Sequence, residues 1–328
     1  LKLTKALDLN EIYAPIAADL EAFSAILKKE LESQDALIGD IHRHLLKMTG
    51  KFLRPALVIF SSKIENKDNP KALTLAVAIE LIHTATLVHD DIIDNSLLRR
   101  NQPSVYSKWG REISIVSGDY LYAKAFMALA SLQDVWINEA FAACARVICE
   151  GEMKQIEKRS DFLMSHPQYL KIIHQKTAAL FQASCMGGAY LAGMDHKNIQ
   201  SLGDYGFGLG MAFQIVDDCL DIAGETKSLG KTAGLDIYKN DVTLPLLYLF
   251  EALLPAERQN LLGQIQAQDP GVFDKIKSLC SQTQAIDKSM NQAKTYIDQA
   301  IQALKNLPES PSKEALEQLA VHCLDRAR

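Results

Sequence analysis

Two short stretches carry the residues best suited to chemistry: His89-Asp90-Asp91-Ile92-Ile93-Asp94 and Gln214-Ile215-Val216-Asp217-Asp218-Cys219-Leu220-Asp221. Each reads Asp-Asp-x-x-Asp inside an otherwise apolar run of helical period. On a helix, residues i and i+4 share a face and residue i+1 is offset by about 100°. Asp90 and Asp94 therefore project together with Asp91 beside them, and Asp217, Asp218 and Asp221 repeat the pattern. Extended backwards, the faces become polar stripes: His83, Thr86, Asp90, Asp94 on one helix and Gly210, Gln214, Asp217, Asp221 on the other. Three carboxylates on an apolar helix repel one another and are expensive to desolvate. A hard divalent cation offsets that cost, and Mg2+ takes a few carboxylates while leaving its other positions to water and phosphate oxygens. A solvated acidic face would explain one such motif; two in the same apolar setting argue for metal binding.

Cations stand at loops and helix ends around these motifs, in Gly50-Lys51-Phe52-Leu53-Arg54-Pro55, Arg99-Arg100, Lys176-Thr177 and Gly230-Lys231. Paired Arg suits bidentate phosphate recognition. Taken singly, each is an ordinary surface residue; placed around two acidic helices, they suit an anionic ligand bridged to metal. Gly206-Phe207-Gly208-Leu209-Gly210 follows no strand and runs into the second acidic helix, so close helix contact explains it better than a dinucleotide turn.

The elements that must position these groups are helices. Periods near 3.6 dominate, and Gly (17) and Pro (10) fall mostly between periodic segments. Pro just inside a helix start marks segments from Asn69-Pro70 to about Asp94, from Ser165-His166-Pro167 to about Ala192, and from Ser310-Pro311 onward. Further helices are expected over roughly 8–31, 35–47, 55–63, 112–132, 134–158, 198–222 and 242–254, with two more between 256 and 306. The stretch 223–243 reads as a loop. No linker or repeat divides residues 1–328, so the expectation is an all-α fold, a single large helical bundle.

Composition removes several alternatives. A chain 48% hydrophobic and 23% charged is neither disordered nor fibrous. A net charge of −5 does not suit non-specific nucleic-acid binding. No stretch approaches 18 consecutive apolar residues, so no transmembrane segment is expected, and none of the N-terminal residues resemble a signal peptide. The six cysteines form no CxxC pair, which fits reduced thiols in the cytoplasm.

The ordered set of motifs from Gly50 to Pro245 resembles the trans-isoprenyl diphosphate synthases, the polyprenyl synthases of the class I terpenoid fold, and among them the long-chain octaprenyl and hexaprenyl type. Besides the two acidic motifs it includes Glu80-Leu81-Ile82-His83, Gly118-Asp119-Tyr120-Leu121, Gly151-Glu152 and Gly230-Lys231-x-x-Gly234-x-Asp236. The resemblance implies a bundle in which the aspartate helices face each other across a deep cavity, usually in a homodimer. It implies condensation of an allylic diphosphate with isopentenyl diphosphate, with two or three Mg2+ ions bound along with diphosphate. By position, Asp90, Asp91, Asp94, Asp217, Asp218 and Asp221 would hold the metal. Arg99, Lys176 and Lys231 would contact the allylic diphosphate, and Lys51, Arg54, His83 and Arg100 the isopentenyl diphosphate. Lys176, Thr177 and Gln214 would serve the reaction itself.

Chain length is expected to be set by Ala85, Thr86 and Phe141. Ala85 lies about 7.5 Å below Asp90 at 1.5 Å per residue, where similar short-chain synthases carry an aromatic floor; an open passage here implies a product of roughly six or more isoprene units, with Phe141 as a deeper floor. One departure stands out. Relatives usually read Gly-Lys where this chain has Asn240-Asp241. A cation beside the allylic diphosphate is then missing unless Lys239 reaches round, and Asp241→Lys is expected to tighten binding. A metal-dependent phosphohydrolase built on His89-Asp90 with His42, His44 or His83 would leave the second acidic motif and the Arg pair without a role.

Overall fold

The computed structural model describes residues 8–48, 50–65, 69–223 and 234–325. Sixteen α-helices occupy these residues: α1 (Leu9–Tyr13), α2 (Ala17–Glu30), α3 (Ala36–Lys47), α4 (Leu53–Ser62), α5 (Lys71–Ile93), α6 (Val105–Ser131), α7 (Val135–Glu157), α8 (His166–Ile173), α9 (Ala179–Leu191), α10 (His196–Ala223), α11 (Leu235–Tyr238), α12 (Leu244–Ala252), α13 (Pro255–Gln266), α14 (Val272–Gln282), α15 (Ala285–Leu304) and α16 (Pro311–Asp325). The all-α expectation holds, with one small exception: Leu98–Arg99 (β1) and Gln102–Pro103 (β2) form an antiparallel hairpin.

Local chemistry sets the boundaries. Asp35, Ser104 and Asp134 cap α3, α6 and α7 by accepting the backbone N–H groups of Ile38, Ser107 and Ile137 at 2.9–3.0 Å. Ser165 and Gln168 form a capping box at the start of α8, with Pro167 inside it. The single helix expected over 8–31 is interrupted by a 3₁₀ turn over Ala14–Ile16 that contains Pro15. Helix α6 begins at Val105, seven residues before the expected start, and bends at Gly110, whose φ of 84° lies outside helical space. Three helices rather than two fill 256–306, because the chain turns at Gly271 (φ 84°) and again at Gln284 (φ 57°). The expected loop 223–243 contains the four-residue α11.

Two core clusters hold the bundle. One gathers Phe60, Phe181, Tyr205, Leu246, Ile276 and Leu316 around α4, α9 and α10. The other gathers Phe23, Leu75, Ile79, Leu121 and Phe141 around α5. Helix α5 has the length and hydropathy of a membrane span, yet 61% of its apolar window is buried within the protein, as for a core helix. Close packing of α10 depends on its glycines. A Cβ on Gly206 would lie 2.6 Å from the Phe181 carbonyl oxygen, and one on Gly208 2.7 Å from that of Tyr296 in α15.

Candidate active site

Helices α5 and α10 end at their acidic motifs. Helix C-termini carry the negative end of the backbone dipole, so each motif adds carboxylates where the field already attracts cations. Both ends open onto two joined cavities, a larger, mainly apolar one of about 1320 Å³ and a polar one of about 600 Å³. Asp90, Arg99, Arg100, Lys176, Thr177 and Gln214 line both and mark the junction. Asp217 lines the larger cavity, while Asp94 and Asp218 line the polar one.

Two of the six expected metal ligands point elsewhere. Asp91 lies outside both cavities; its Oδ1 accepts Arg99 Nε and Nη2 at 2.8 and 2.7 Å. Its position one residue after Asp90 turns it away from the stripe and toward the hairpin. Asp221 is wholly buried and also lines neither cavity. One turn beyond Asp217, it meets the start of α11: its carboxylate accepts the Asp236 N–H at 3.2 Å, and its backbone carbonyl accepts Gly234 N–H at 2.9 Å. These two acids shape the site rather than face it.

The remaining carboxylates suit a hard cation. Burial, helped by Glu152 and Asp94 and opposed by Lys176 and Arg99, pushes Asp90 up to about 6. Burial also raises Asp218 strongly, with Asp236 adding to it. Asp94 behaves oppositely: burial would raise it, but Lys239, Lys176 and Arg159 outweigh that and hold it below the usual range. Among the described residues no three acidic, His or Cys side chains converge into a closed metal site. A divalent ion between α5 and α10 would therefore draw further oxygens from ligand and water, which is how Mg2+ commonly binds.

The cations surround the junction. Lys176 Nζ pairs with Glu152 at 2.6 Å, and Asp90 and Glu152 keep it protonated against its burial. The Gly151-Glu152 motif marks the position of Glu152, but its pairing with Lys176, 24 residues on, has no local signal in the sequence. Lys51, Arg54, His83 and Arg100 all line the larger cavity. Arg54 Nη1 donates to His83 Nε2 at 3.1 Å, and its guanidinium lies 4.6 Å from the Phe181 ring centre. Burial and the nearby Arg54, Arg100 and Arg99 charges keep His83 neutral, so its Nε2 can accept. Arg100 occupies the hairpin turn at φ 51°, a costly conformation for a long side chain. That turn aims its guanidinium at the Met48 carbonyl, across Gly50, where a Cβ would lie 2.4 Å from Arg100 Nη2. Lys231 lies outside the described residues.

A chain of hydrogen bonds crosses the site. Thr177 Oγ1 donates to Gln214 Oε1 at 2.8 Å, Gln214 Nε2 donates to Asp218 Oδ1 at 2.8 Å, and the Tyr169 hydroxyl donates to Asp218 Oδ2 at 2.6 Å. Tyr169 carried no sequence signal, since its partner is 49 residues away. Lys176 and Thr177 sit in a π-helical turn, His174–Ala178, that joins α8 to α9. Such turns are rare and gather at functional sites. Two glycines clamp it: a Cβ on Gly151 would lie 2.5 Å from the Lys176 backbone nitrogen, and one on Gly210 2.6 Å from Ala178 Cα. Gly151→Ala gains about 1 kcal/mol of helix propensity but meets backbone that cannot swing aside, at a cost of roughly 1–3 kcal/mol. The expected result is a lower melting temperature and a lower kcat, because Lys176 and Thr177 shift. A variant with parental melting and turnover would show that the turn yields freely.

The chain-length residues divide. Thr86 lines the larger cavity with Tyr122, Phe126, Ile148 and Leu180. Ala85 and Phe141 do not; both are wholly buried in the core cluster around α5. One residue on a helix is about 100° of rotation, enough to carry Ala85 from the wall into the packing. Phe141 instead rests against α9, where a Cβ on Gly187 would lie 3.1 Å from its ring.

An all-helical bundle with two acid-ended helices over a joined polar and apolar cavity, rimmed by cations, has the architecture of an enzyme that handles a diphosphate on an apolar tail. The family model described as polyprenyl synthetase matches residues 35–283. The chain belongs to this family and is a prenyltransferase. It is 34% identical over 315 residues to heptaprenyl diphosphate synthase component 2 of Geobacillus stearothermophilus, covering 96% of this chain and 98% of that one. It is 32% identical to octaprenyl diphosphate synthase of Haemophilus influenzae, covering 99% of both. A crystal structure of a polyprenyl synthase from Caulobacter crescentus, complexed with calcium and isoprenyl diphosphate, superimposes with a TM-score of 0.94 at 35% identity over 99% of each chain.

Proposed function

We propose that the chain condenses an allylic diphosphate with successive isopentenyl diphosphates to form a long all-trans polyprenyl diphosphate, using Mg2+ held by Asp90, Asp94, Asp217 and Asp218. The observation that carries this reading is the junction of the two cavities at Asp90, Lys176, Thr177 and Gln214. A diphosphate fits the polar side among carboxylates and cations, and its hydrocarbon tail fits the apolar side. Bound Mg2+ supplies neutralisation of the leaving diphosphate. Lys176 and Arg99 add fixed positive charge to the same leaving group and need no reorganisation as the allylic C–O bond breaks. The oxygen dipoles of Thr177 and Gln214, fixed by the bonds through Asp218 to Tyr169, face the developing allylic cation. Apolar walls keep water from it. Lys51, Arg54 and Arg100 hold the isopentenyl diphosphate so that its double bond attacks the cation; the proton then lost passes to the released diphosphate.

The test is incubation of the purified chain alone with farnesyl diphosphate, isopentenyl diphosphate and Mg2+, followed by product sizing. Pyrophosphate release without isopentenyl diphosphate would indicate a hydrolase instead. Absence of product from a correctly folded chain, restored by a second subunit, would assign it to a two-chain synthase.

We further propose a homodimer. Helix α6 exposes Ile115, Val116, Tyr120 and Met127, and α7 exposes Met153 and Ile156. An apolar surface of this extent marks an interaction face. Ile115, Met153 and Ile156 also line the larger cavity, so a second copy on this face would help enclose it. Val116→Asp combined with Met127→Asp should convert the dimer to monomer in sedimentation velocity. A dimer unaffected by both changes would place the interface elsewhere. All six cysteines are free and five are buried, which supports a cytoplasmic location.

A further inference from the structure

Asp94 accepts hydrogen bonds from two cations at once. Arg159 Nη2 reaches Oδ1 at 2.7 Å, and Lys239 Nζ reaches Oδ2 at 2.9 Å. The two are anchored differently. Arg159 holds a second carboxylate, donating from Nε to Asp241 Oδ1 at 3.0 Å. Asp241 is only 5% exposed. The backbone reinforces the pair: Ser160 N–H donates to the Asn240 carbonyl at 2.9 Å, and Asp241 N–H donates to the Asp236 carbonyl at 2.8 Å. Arg159 is therefore fixed to the loop from both sides. Among the described residues, Asp94 is the one carboxylate that Lys239 meets within ion-pair distance. Lys239 lines the polar cavity together with Asp90, Lys176 and Asp236.

We propose that Lys239 is a diphosphate-binding residue of this chain, and that the Arg159–Asp241 pair is the anchor that aims it into the polar cavity. The inference rests on the prenyl diphosphate synthase reading. Were Asp94 to give its oxygens to a divalent ion, both cations would lose a partner. Arg159 would keep Asp241. Lys239 would be left at the cavity wall with a partly buried charge, which is costly unless an anion replaces the lost one. Its flexible four-carbon stem lets the ammonium swing to a phosphate oxygen. Asp241 thus neutralises Arg159 and leaves the mobile charge to Lys239. The acidic residue at position 241 is a support for the phosphate site, and the cation comes from two residues earlier in the loop.

The sequence-level expectation for Asp241→Lys is thereby reversed. That substitution strips Arg159 of its second carboxylate and sets a like charge against it in a buried place. The test measures binding of inorganic pyrophosphate in excess Mg2+ by calorimetry, KM for farnesyl diphosphate, and melting in EDTA. Lys239→Met should weaken pyrophosphate binding about tenfold or more, the scale of a lost charge-assisted hydrogen bond, and raise KM more than it lowers kcat. Lys239→Arg, which keeps the charge, should restore most of the affinity. Asp241→Lys should lower the melting temperature and weaken binding together. Parental affinity in Lys239→Met, or tighter binding at unchanged melting in Asp241→Lys, overturns the proposal while the parent remains an active synthase. A parent that neither binds pyrophosphate nor elongates a prenyl chain overturns the underlying reading as well.

Discussion

Asp90→Asn is expected to cut turnover by a factor on the order of 10²–10³, the scale seen when one group that stabilises transition-state charge is removed. The same substitution should raise the melting temperature in EDTA. Asp90 is pushed up to about 6 from an ordinary 3.8. An acid whose folded pKa exceeds its unfolded value costs stability wherever it is ionised. The cost is full above about pH 6 and disappears as pH falls toward 3.8. The melting advantage of the variant over the parent should therefore be largest near pH 7.5, shrink through pH 6 and vanish near pH 4. Adding Mg2+ and pyrophosphate should reverse the order at neutral pH, because ligands that bind only the folded parent stabilise it by mass action. Near-parental turnover, or a melting difference independent of pH, would remove Asp90 from the metal site.

Thr86→Tyr is expected to shift the product distribution from long chains to short ones, as sized by reversed-phase chromatography. Thr86 lines the apolar cavity one turn below Asp90 on α5, and an aromatic ring there would stand in the path of a growing tail. Ala85→Tyr should act differently. Ala85 has no exposed surface and sits in the core cluster. A ring forced into that packing costs typically 1–3 kcal/mol and often more, so the expected outcome is a poorly stable protein. A stable Ala85→Tyr protein with shortened products, beside a Thr86→Tyr protein with parental ones, would exchange the two assignments.

The contrast between these neighbours shows what the sequence could carry. The acidic motifs were legible because their signal is local: two Asp-Asp-x-x-Asp runs in apolar helices give the spacing, the face and the need for a cation. The faces of α5 were harder, because this helix is apolar nearly all round and its period does not distinguish a cavity wall from core. Asp91 and Asp221 were misdirected for another reason. Each is claimed by a segment from further along the chain, the Arg99 hairpin in one case and the start of α11 in the other. The Arg159–Asp241 pair spans 82 residues, and no helical period links its members. The hairpin, with two residues per strand, is too short for strand alternation to register. What escaped the sequence is the set of contacts formed only when distant segments meet.

The π turn over His174–Ala178 has a further consequence, in the phase of the helix that contains it. Residues 166–191 run as one rod with an extra residue inserted midway. Each residue rotates the chain by about 100°, so the insertion turns everything before it by that angle relative to everything after. Tyr169 can thereby address Asp218 on α10 while Phe181 and Cys185 keep their places in the core. Deleting Gln175 would heal the helix and force a choice between the two. Either the tyrosine hydroxyl swings off the carboxylate that steadies Gln214 and Thr177, or Phe181 leaves the core and withdraws the ring beneath Arg54. The residues before the turn and those after it are offset by one position, and the turn lets a single continuous helix bring Tyr169 to Asp218 and Phe181 to Arg54 while both of its halves pack into the same core.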